Sequence, residues 1–515
     1  MSDRKVRVRF APSPTGPLHI GGVKTALYCY LFAKKNQGDF ILRIEDTDQS
    51  RLVEGTEEYI NESLTWCGLE PDESPAKGGE YGPYKQSERN ESGRYKAYAE
   101  QLISAGHAYY AFDTFEDLES MRERLKAAGG DSYQYDAKSR MEMNNSLTMD
   151  EAEVKQKLEA GDDHVIRIKM PADESIRFND LVRGDVVVNS STLDDKVLMK
   201  SDGMPTYHLA NVADDHEMQI SHVIRGEEWL PSAPMHVMLY KYLGWEDTMP
   251  EFVHIPLILK PNGQGKLSKR DGDKLGFSVF PLEWKDPETG NISTGYKEDG
   301  YLPSAFLNMV AMLGWNPGTE QEIFTLDEMI NAFSFEQVQK SGARFDPDKA
   351  IWFNQEHIKS MVDAALANIL MDKYPNLSER PMNLEFVCGL MKERVKFIPE
   401  IYENGKYFFE KPNEFDEKTL RKKWKENTSN ELNGLCKEFM NIEHFNTGDL
   451  QMKFDKYCSD NEISHGALMA PLRLAITGQG GGPPIFNIMN IIGREESISR
   501  MQYAIDNFSK EENNA

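Results

Sequence analysis

Cysteine is scarce in this chain, and what there is lies scattered. The 515 residues include five cysteines, Cys29, Cys67, Cys388, Cys436 and Cys458, an odd count with no CxxC or CxC pair. That spacing speaks against a disulfide framework and against a cysteine-based zinc site. Long apolar runs are missing too, so no transmembrane helix is predicted and no membrane partner is expected. Met1 to Lys5 lead straight into a strand-like segment, without an apolar leader core or a cleavage site. Basic residues are in deficit, 59 against 84 acidic ones, for a net charge of −25. Such a balance disfavours non-specific coating of nucleic acid, which needs clustered Lys and Arg, but leaves room for a local basic groove. With 28% charged and 39% hydrophobic residues, the composition excludes disordered and collagen-like classes. The expectation is a cytoplasmic protein of about three or four domains.

Periodicity divides the chain into an α/β front and an all-α tail. Val6 to Phe10 alternates as a strand, a Pro/Gly-rich loop follows, Val23 to Lys34 has helical spacing, and Phe40 to Ile44 reads as the next strand. This order predicts a parallel, doubly wound sheet of Rossmann type. Residues 1–108 and 197–260 are read as its two halves, with 109–196 an inserted α+β domain whose texture is charged helix and short strands. A Gly/Lys-rich loop opens the segment 261–345, in which the polar stretch 280–295 reads as a surface insertion. From 346 to 515 the pattern is helix after helix.

Two loops carry chemistry. The first runs Pro12, Ser13, Pro14, Thr15, Gly16, Pro17, Leu18, His19, Ile20, Gly21, Gly22 and joins a strand to a helix, so free helix N–H groups face it. Gly21 and Gly22 would let a flat ligand lie against the backbone, and His19 can donate to a phosphate oxygen. The second is Lys266, Leu267, Ser268, Lys269 and Arg270, two lysines flanking a hydroxyl on a charged loop, suited to a mobile triphosphate clamp. Taken singly, each also fits a plain role, a tight turn capped by His19 and a solvated basic loop.

Together and in this order, the two loops resemble the HIGH and KMSKS signatures of class I aminoacyl-tRNA synthetases. The wording of residues 12–22 is similar to that of the bacterial-type glutamyl-tRNA synthetases. Leu42-Arg-Ile-Glu-Asp-Thr-Asp48, Lys200 to Asn211, Val223 to Trp229, Tyr301-Leu-Pro303, Leu313-Gly-Trp315, Lys392-Glu-Arg394 and Pro471-Leu-Arg473 agree with it. The resemblance implies that L-glutamate and ATP with Mg2+ form a glutamyl-adenylate, from which tRNA(Glu) takes the glutamyl group. Positioning and charge stabilisation would carry such a reaction.

The resemblance also assigns residues. His19, Lys266 and Lys269 would be catalytic, and Thr15, Gly16, His19, Gly21, Gly22, Lys266, Ser268 and Lys269 would hold ATP. Arg9, Ala11, Ser13, Glu45, Tyr207, Asn211, Arg225, Glu228 and Trp229 would form the glutamate pocket. Arg9 and Arg225 would be the cations for the two carboxylates, Arg9 for that of the side chain and Arg225 for the α-carboxylate, and Glu45 would meet the ammonium. The inserted domain would bind the tRNA acceptor end, 261–345 would touch the stem, and the tail would read the anticodon. Lys418 to Lys425 offers cations together with Trp424, a mixture that stacks on unpaired bases or else a basic helix face with the indole packed inward. Two departures stand out: Gly22 replaces the second histidine of the HIGH pattern, and the insert has no cysteines where some relatives hold zinc. No protein-bound metal is expected. His208 and His216, near Asp214 and Asp215, are spaced too far along one helix to share an ion. A monomer is expected. Competing readings are a glutaminyl-tRNA synthetase, a tRNA-modifying glutamyl transferase without the tail, and a non-catalytic tRNA-binding paralogue.

Overall fold

Arg7–Phe10 is buried on both faces, so a strand of alternating cations and apolar side chains must neutralise the cations. Val8 and Phe10 enter the main apolar core. On the other face Arg7 meets Asp39 and Glu73, and Arg9 meets Asp215. The computed structural model describes residues 4–129, 133–379 and 382–511. The side chain of Lys269 lies outside that description.

A six-stranded sheet runs in the order Asp39–Leu42, Arg7–Phe10, His222–Gly226, Glu251–Ile255, Ser175–Asp180, Gly184–Asn189. The first five strands are parallel, with Val8 opposite Phe40, and the last closes an antiparallel hairpin. Helix Ile20–Lys35 makes the first crossover, burying Val23, Leu27 and Leu31. It is the doubly wound α/β arrangement expected. The chain leaves Arg7–Phe10 toward one edge and later returns on its other side at His222–Gly226. The strand ends at that reversal bound the crevice where such sheets bind ligands.

The hairpin Ser175–Asp180/Gly184–Asn189 falls within residues 109–196 yet pairs onto the main sheet. Its alternation explains this, because Phe178 packs on Phe252 while Asp180 accepts the His254 backbone N–H. Val197–Met199 pairs instead with Val165–Ile168, which pairs with Ala108–Ala111 in a separate three-stranded sheet. The stretch 280–295 is not all surface. Leu282 and Trp284 are buried and Tyr59 donates its hydroxyl to the Leu282 carbonyl at 2.6 Å, while Glu283, Lys285, residues 287–292 and Thr294 are exposed.

The chain forms two compact units, residues 1–353 and 354–515. The second is helical in its described elements, from Asp363–Lys373 to Arg494–Glu511. There Trp424 is buried, edge-on to Phe508, and donates its indole N–H to Ser429, so it is not offered to a base. No helix among the described residues is long and apolar enough to cross a membrane. All five cysteines are free and buried.

Candidate functional site

A cavity of about 560 Å3 opens at the reversal of the sheet. One wall is the loop Ala11–Gly22. His19 caps helix Ile20–Lys35, and its Nδ1 accepts the Gly21 N–H at 3.0 Å. Enclosure by the walls, with Lys266 adding repulsion, pushes the His19 pKa below the usual imidazole value. The ring is therefore neutral at pH 7, and with Nδ1 acting as acceptor its proton sits on Nε2, a donor left for a ligand. The two glycines are needed for this shape. A Cβ at Gly21 would lie 2.8 Å from the His19 ring, and one at Gly22 would lie 2.3 Å from Leu18 Cδ1. Thr15 and Gly16 also line this wall, whereas Pro14 is buried behind it.

The deeper end is polar and almost closed. Arg9 donates from Nε and Nη2 to the two oxygens of Asp215, at 2.9 and 3.1 Å. Arg43, fully buried, bridges Asp215 Oδ1 at 2.7 Å and Glu45 Oε1 at 2.8 Å. Asn211 donates to the same Glu45 oxygen at 2.8 Å. Burial opposes every charge here. The Asp215 carboxylate nevertheless raises the pKa of Arg9 and Arg43, and those cations hold Asp215 below the usual carboxylate range. Two arginines and two carboxylates thus balance.

Arg225 is held differently. Its Nε donates to His254 Nε2 at 3.0 Å, and its Nη1 donates to the Tyr207 hydroxyl at 2.7 Å. His236 lies 3.4 Å from Nη1 and contacts His208 at 3.2 Å. Burial pushes His208 down to about 3 and His236 well below the ordinary value, so both are neutral. Arg225 Nη2 and Asn211 Oδ1 are buried with no partner among the described residues. Trp229, partly exposed, tilts against Tyr207 with ring centres 4.7 Å apart.

Of the second loop, Lys266 and Leu267 reach the cavity. Lys266 Nζ contacts Glu228 Oε1 at 2.7 Å, so Glu228 faces a lysine at the cavity rim. Ser268 turns away from the cavity. Its backbone N–H and hydroxyl both donate to Asp271 Oδ2, capping helix Lys269–Leu275. Ser268 and Arg270 are not among the lining residues. The lining set does contain Arg9, Ala11, Pro12, Ser13, Thr15, Gly16, Pro17, Leu18, His19, Ile20, Gly21, Gly22, Glu45, Tyr207, Asn211, Arg225, Glu228 and Trp229.

Several residues of the site go beyond what the sequence suggests. On sequence, Asp215 is only a neighbour of histidines, and Arg43 only part of the motif Leu42 to Asp48. A signal for both exists, since a buried strand carrying Arg7 and Arg9 requires counter-charges somewhere. His254, Asp180 and His236 leave no such signal. Lys24 is a further addition. It lines the cavity, donates to the Pro256 carbonyl at 2.8 Å, and is lowered by burial to about 7. His216 stacks on Trp245 and contacts Thr248, apart from the site. No group of three or more His, Cys, Asp or Glu among the described residues is placed to hold a metal ion.

A family model described as tRNA synthetases class I (E and Q), catalytic domain, matches residues 5–352, and one described as anticodon binding domain matches 355–505. The glutamate--tRNA ligase of Cytophaga hutchinsonii is 52% identical over 518 residues, covering 100% of both chains. That of Parabacteroides distasonis is 51% identical, over 98% of this chain and 99% of its own. A crystal structure of a glutamate tRNA ligase from Elizabethkingia meningosepticum in complex with its amino acid superposes with a TM-score of 0.92. It is 50% identical and covers 98% of this chain and 100% of that one. The glutamate-tRNA synthetase of Elizabethkingia anophelis gives 0.88, at 50% identity and the same coverage.

Proposed function

The chain belongs to the class I tRNA synthetases of the glutamate and glutamine family, in its bacterial glutamate branch, and from that premise we propose how its cavity works. The enzyme attaches L-glutamate to tRNA(Glu). Glutamate's α-carboxylate attacks the α-phosphate of ATP, forming glutamyl-adenylate and releasing pyrophosphate. A ribose hydroxyl of the terminal tRNA adenosine then attacks the carbonyl, and AMP leaves. Magnesium enters with ATP as part of the substrate.

In our reading, Arg9 and Arg225 receive the two carboxylates, and Glu45 faces the ammonium. Tyr207, Asn211, Ser13 and the Ala11 backbone orient the amino acid, with Glu228 and Trp229 at its border. Gly21 and Gly22 give room for adenosine. Thr15, Gly16 and the His19 Nε2 proton face the phosphates, with Lys266, Ser268 and Lys269 arriving when the loop closes. Residues 109–196 serve the acceptor end, 261–345 the stem and 346–515 the anticodon, in a cytoplasmic monomer.

One observation carries this reading. The His19 loop, Lys266 and the Arg9, Glu45, Asn211 and Arg225 set border a single cavity, so a phosphate donor and a doubly carboxylated amino acid can meet there. Charging of tRNA with glutamate and with glutamine, measured side by side, tests it. Glutamate alone should be attached. Charging with glutamine in place of glutamate would make the chain a glutaminyl enzyme, and tRNA binding without charging would make it a non-catalytic paralogue.

A further inference from the structure

Arg225 is a buried cation that touches no carboxylate among the described residues. Arg9, at the same site, is cancelled by Asp215. The difference lies in what holds each guanidinium. Arg225 is held by neutral acceptors, the imidazole of His254 and the phenol of Tyr207, and so keeps its full charge for a ligand.

His254 can act as an acceptor only in one tautomer, and its surroundings impose that tautomer. Its Nδ1 lies 2.6 Å from Asp180 Oδ2. A carboxylate oxygen can only accept, so Nδ1 carries the hydrogen and Nε2 is left with its lone pair facing Arg225 Nε. Asp180 is itself fixed. Oδ1 accepts the N–H groups of Val182 and Arg183 at 3.0 and 2.8 Å, and Oδ2 also accepts the backbone N–H of His254. Both side chains are fully buried. Burial also lowers the His254 pKa, against the pull of Asp180, which keeps the ring neutral.

We propose that His254, held in one tautomer by Asp180, is a positioning residue that orients the Arg225 guanidinium so that its unpartnered Nη2 serves a substrate carboxylate. The assignment rests on the reading that Arg225 meets glutamate. Asp180 comes from the hairpin strand Ser175–Asp180 and His254 from the neighbouring strand Glu251–Ile255, so two strands beside that of Arg225 set the aim of a group in the crevice.

Two polar substitutions separate this role from a merely structural one. His254→Asn keeps a donor near Nδ1 for Asp180 but has nothing at the Nε2 position. His254→Gln places an oxygen near Nε2 to accept from Arg225. The full-length enzyme is assayed for tRNA charging, with KM measured separately for glutamate and ATP. His254→Asn should raise the glutamate KM by about tenfold to a hundredfold, the range for losing one hydrogen bond to a charged group. Its ATP KM should stay within about twofold, and His254→Gln should stay within about threefold of wild type for both. Equal defects in the two variants, or an ATP KM rising in step with that for glutamate, would overturn the proposal. Arg225→Gln is run in parallel. If it weakens glutamate while His254→Asn does not, the positioning role alone fails. If it leaves glutamate unaffected, the reading of Arg225 fails and the proposal falls with it.

Discussion

Lys266 Nζ sits 2.7 Å from Glu228 Oε1, so the lysine that the second loop would offer to a triphosphate is already held by a carboxylate at the cavity rim. The two side chains are about half exposed, and such a pair is worth about 0–1 kcal/mol. ATP would have to displace it. Glu228→Gln should therefore lower the ATP KM, by at most about fivefold, and leave the glutamate KM near wild type. Steady-state charging over a range of ATP concentrations measures this. A rise of about tenfold or more in either KM would mean that Glu228 contacts a substrate directly.

Lys269 begins the short helix Lys269–Leu275, next to Ser268. On its proposed role as a charge donor for the leaving pyrophosphate, its loss should slow adenylate formation by about a hundredfold or more. Lys269→Ala should show this in a single-turnover assay, with glutamate binding little changed. An unaltered rate would remove Lys269 from the chemistry.

The outline of the sheet is legible in the sequence because its central strands carry strong local signals, alternation in Val6 to Phe10 and helical spacing after Gly22. The hairpin Ser175–Asp180/Gly184–Asn189 is not, because its first strand alternates polar and apolar like any half-exposed ribbon and its second is a short run of valines with no buried face. Nothing local says which sheet it joins. At the site, motif words locate the groups that line the cavity. They are silent on the groups behind them. Asp215, Arg43, Asp180 and His254 act through pairings across 172 to 206 residues, as in Arg43–Asp215 and Arg9–Asp215, or across 74, as in Asp180–His254. Pairing at that range follows from topology rather than from spacing. Trp424 shows the converse, since a composition suited to stacking on bases folds with the indole inward.

Lys24 supplies a test in pH. Burial lowers its pKa to about 7, well below the ordinary lysine value, with Glu227 and Glu228 opposing. A base with a depressed folded pKa makes folding costlier wherever the unfolded chain binds the extra proton. The cost is therefore complete below about pH 7 and fades as pH climbs to about 10.5. Lys24→Met loses one bond to the Pro256 carbonyl at every pH but escapes that cost. Its melting temperature relative to wild type should thus rise as pH is lowered from about 10 to about 6. A difference independent of pH would show that Lys24 does not titrate in that window.

The last prediction concerns the choice between glutamate and glutamine, which are nearly the same shape. Packing separates them weakly, so charge must do it. On sequence Arg9 is the first candidate, because a cation facing the side-chain carboxylate would be stranded when an amide replaces it. Its pairing with Asp215 changes that expectation. With glutamine bound, Arg9 still has its carboxylate and loses little. Arg225, with Nη2 unpartnered and no carboxylate in contact among the described residues, is the cation left uncompensated. Leaving a buried charge unpaired costs about 3–5 kcal/mol, roughly a hundredfold to several thousandfold in discrimination. Arg225→Gln should therefore remove most of the glutamate preference, chiefly by weakening glutamate. Arg9→Gln should change the ratio by less than about tenfold. Because it strands Asp215 on Arg43 alone, Arg9→Gln should instead destabilise the fold by about 3–5 kcal/mol. The measurements are kcat/KM for both amino acids with tRNA present, and denaturant unfolding of the same variants. Should Arg9→Gln abolish the preference while Arg225→Gln preserves it, Arg9 faces the side-chain carboxylate despite Asp215, and Arg225 serves the α-carboxylate.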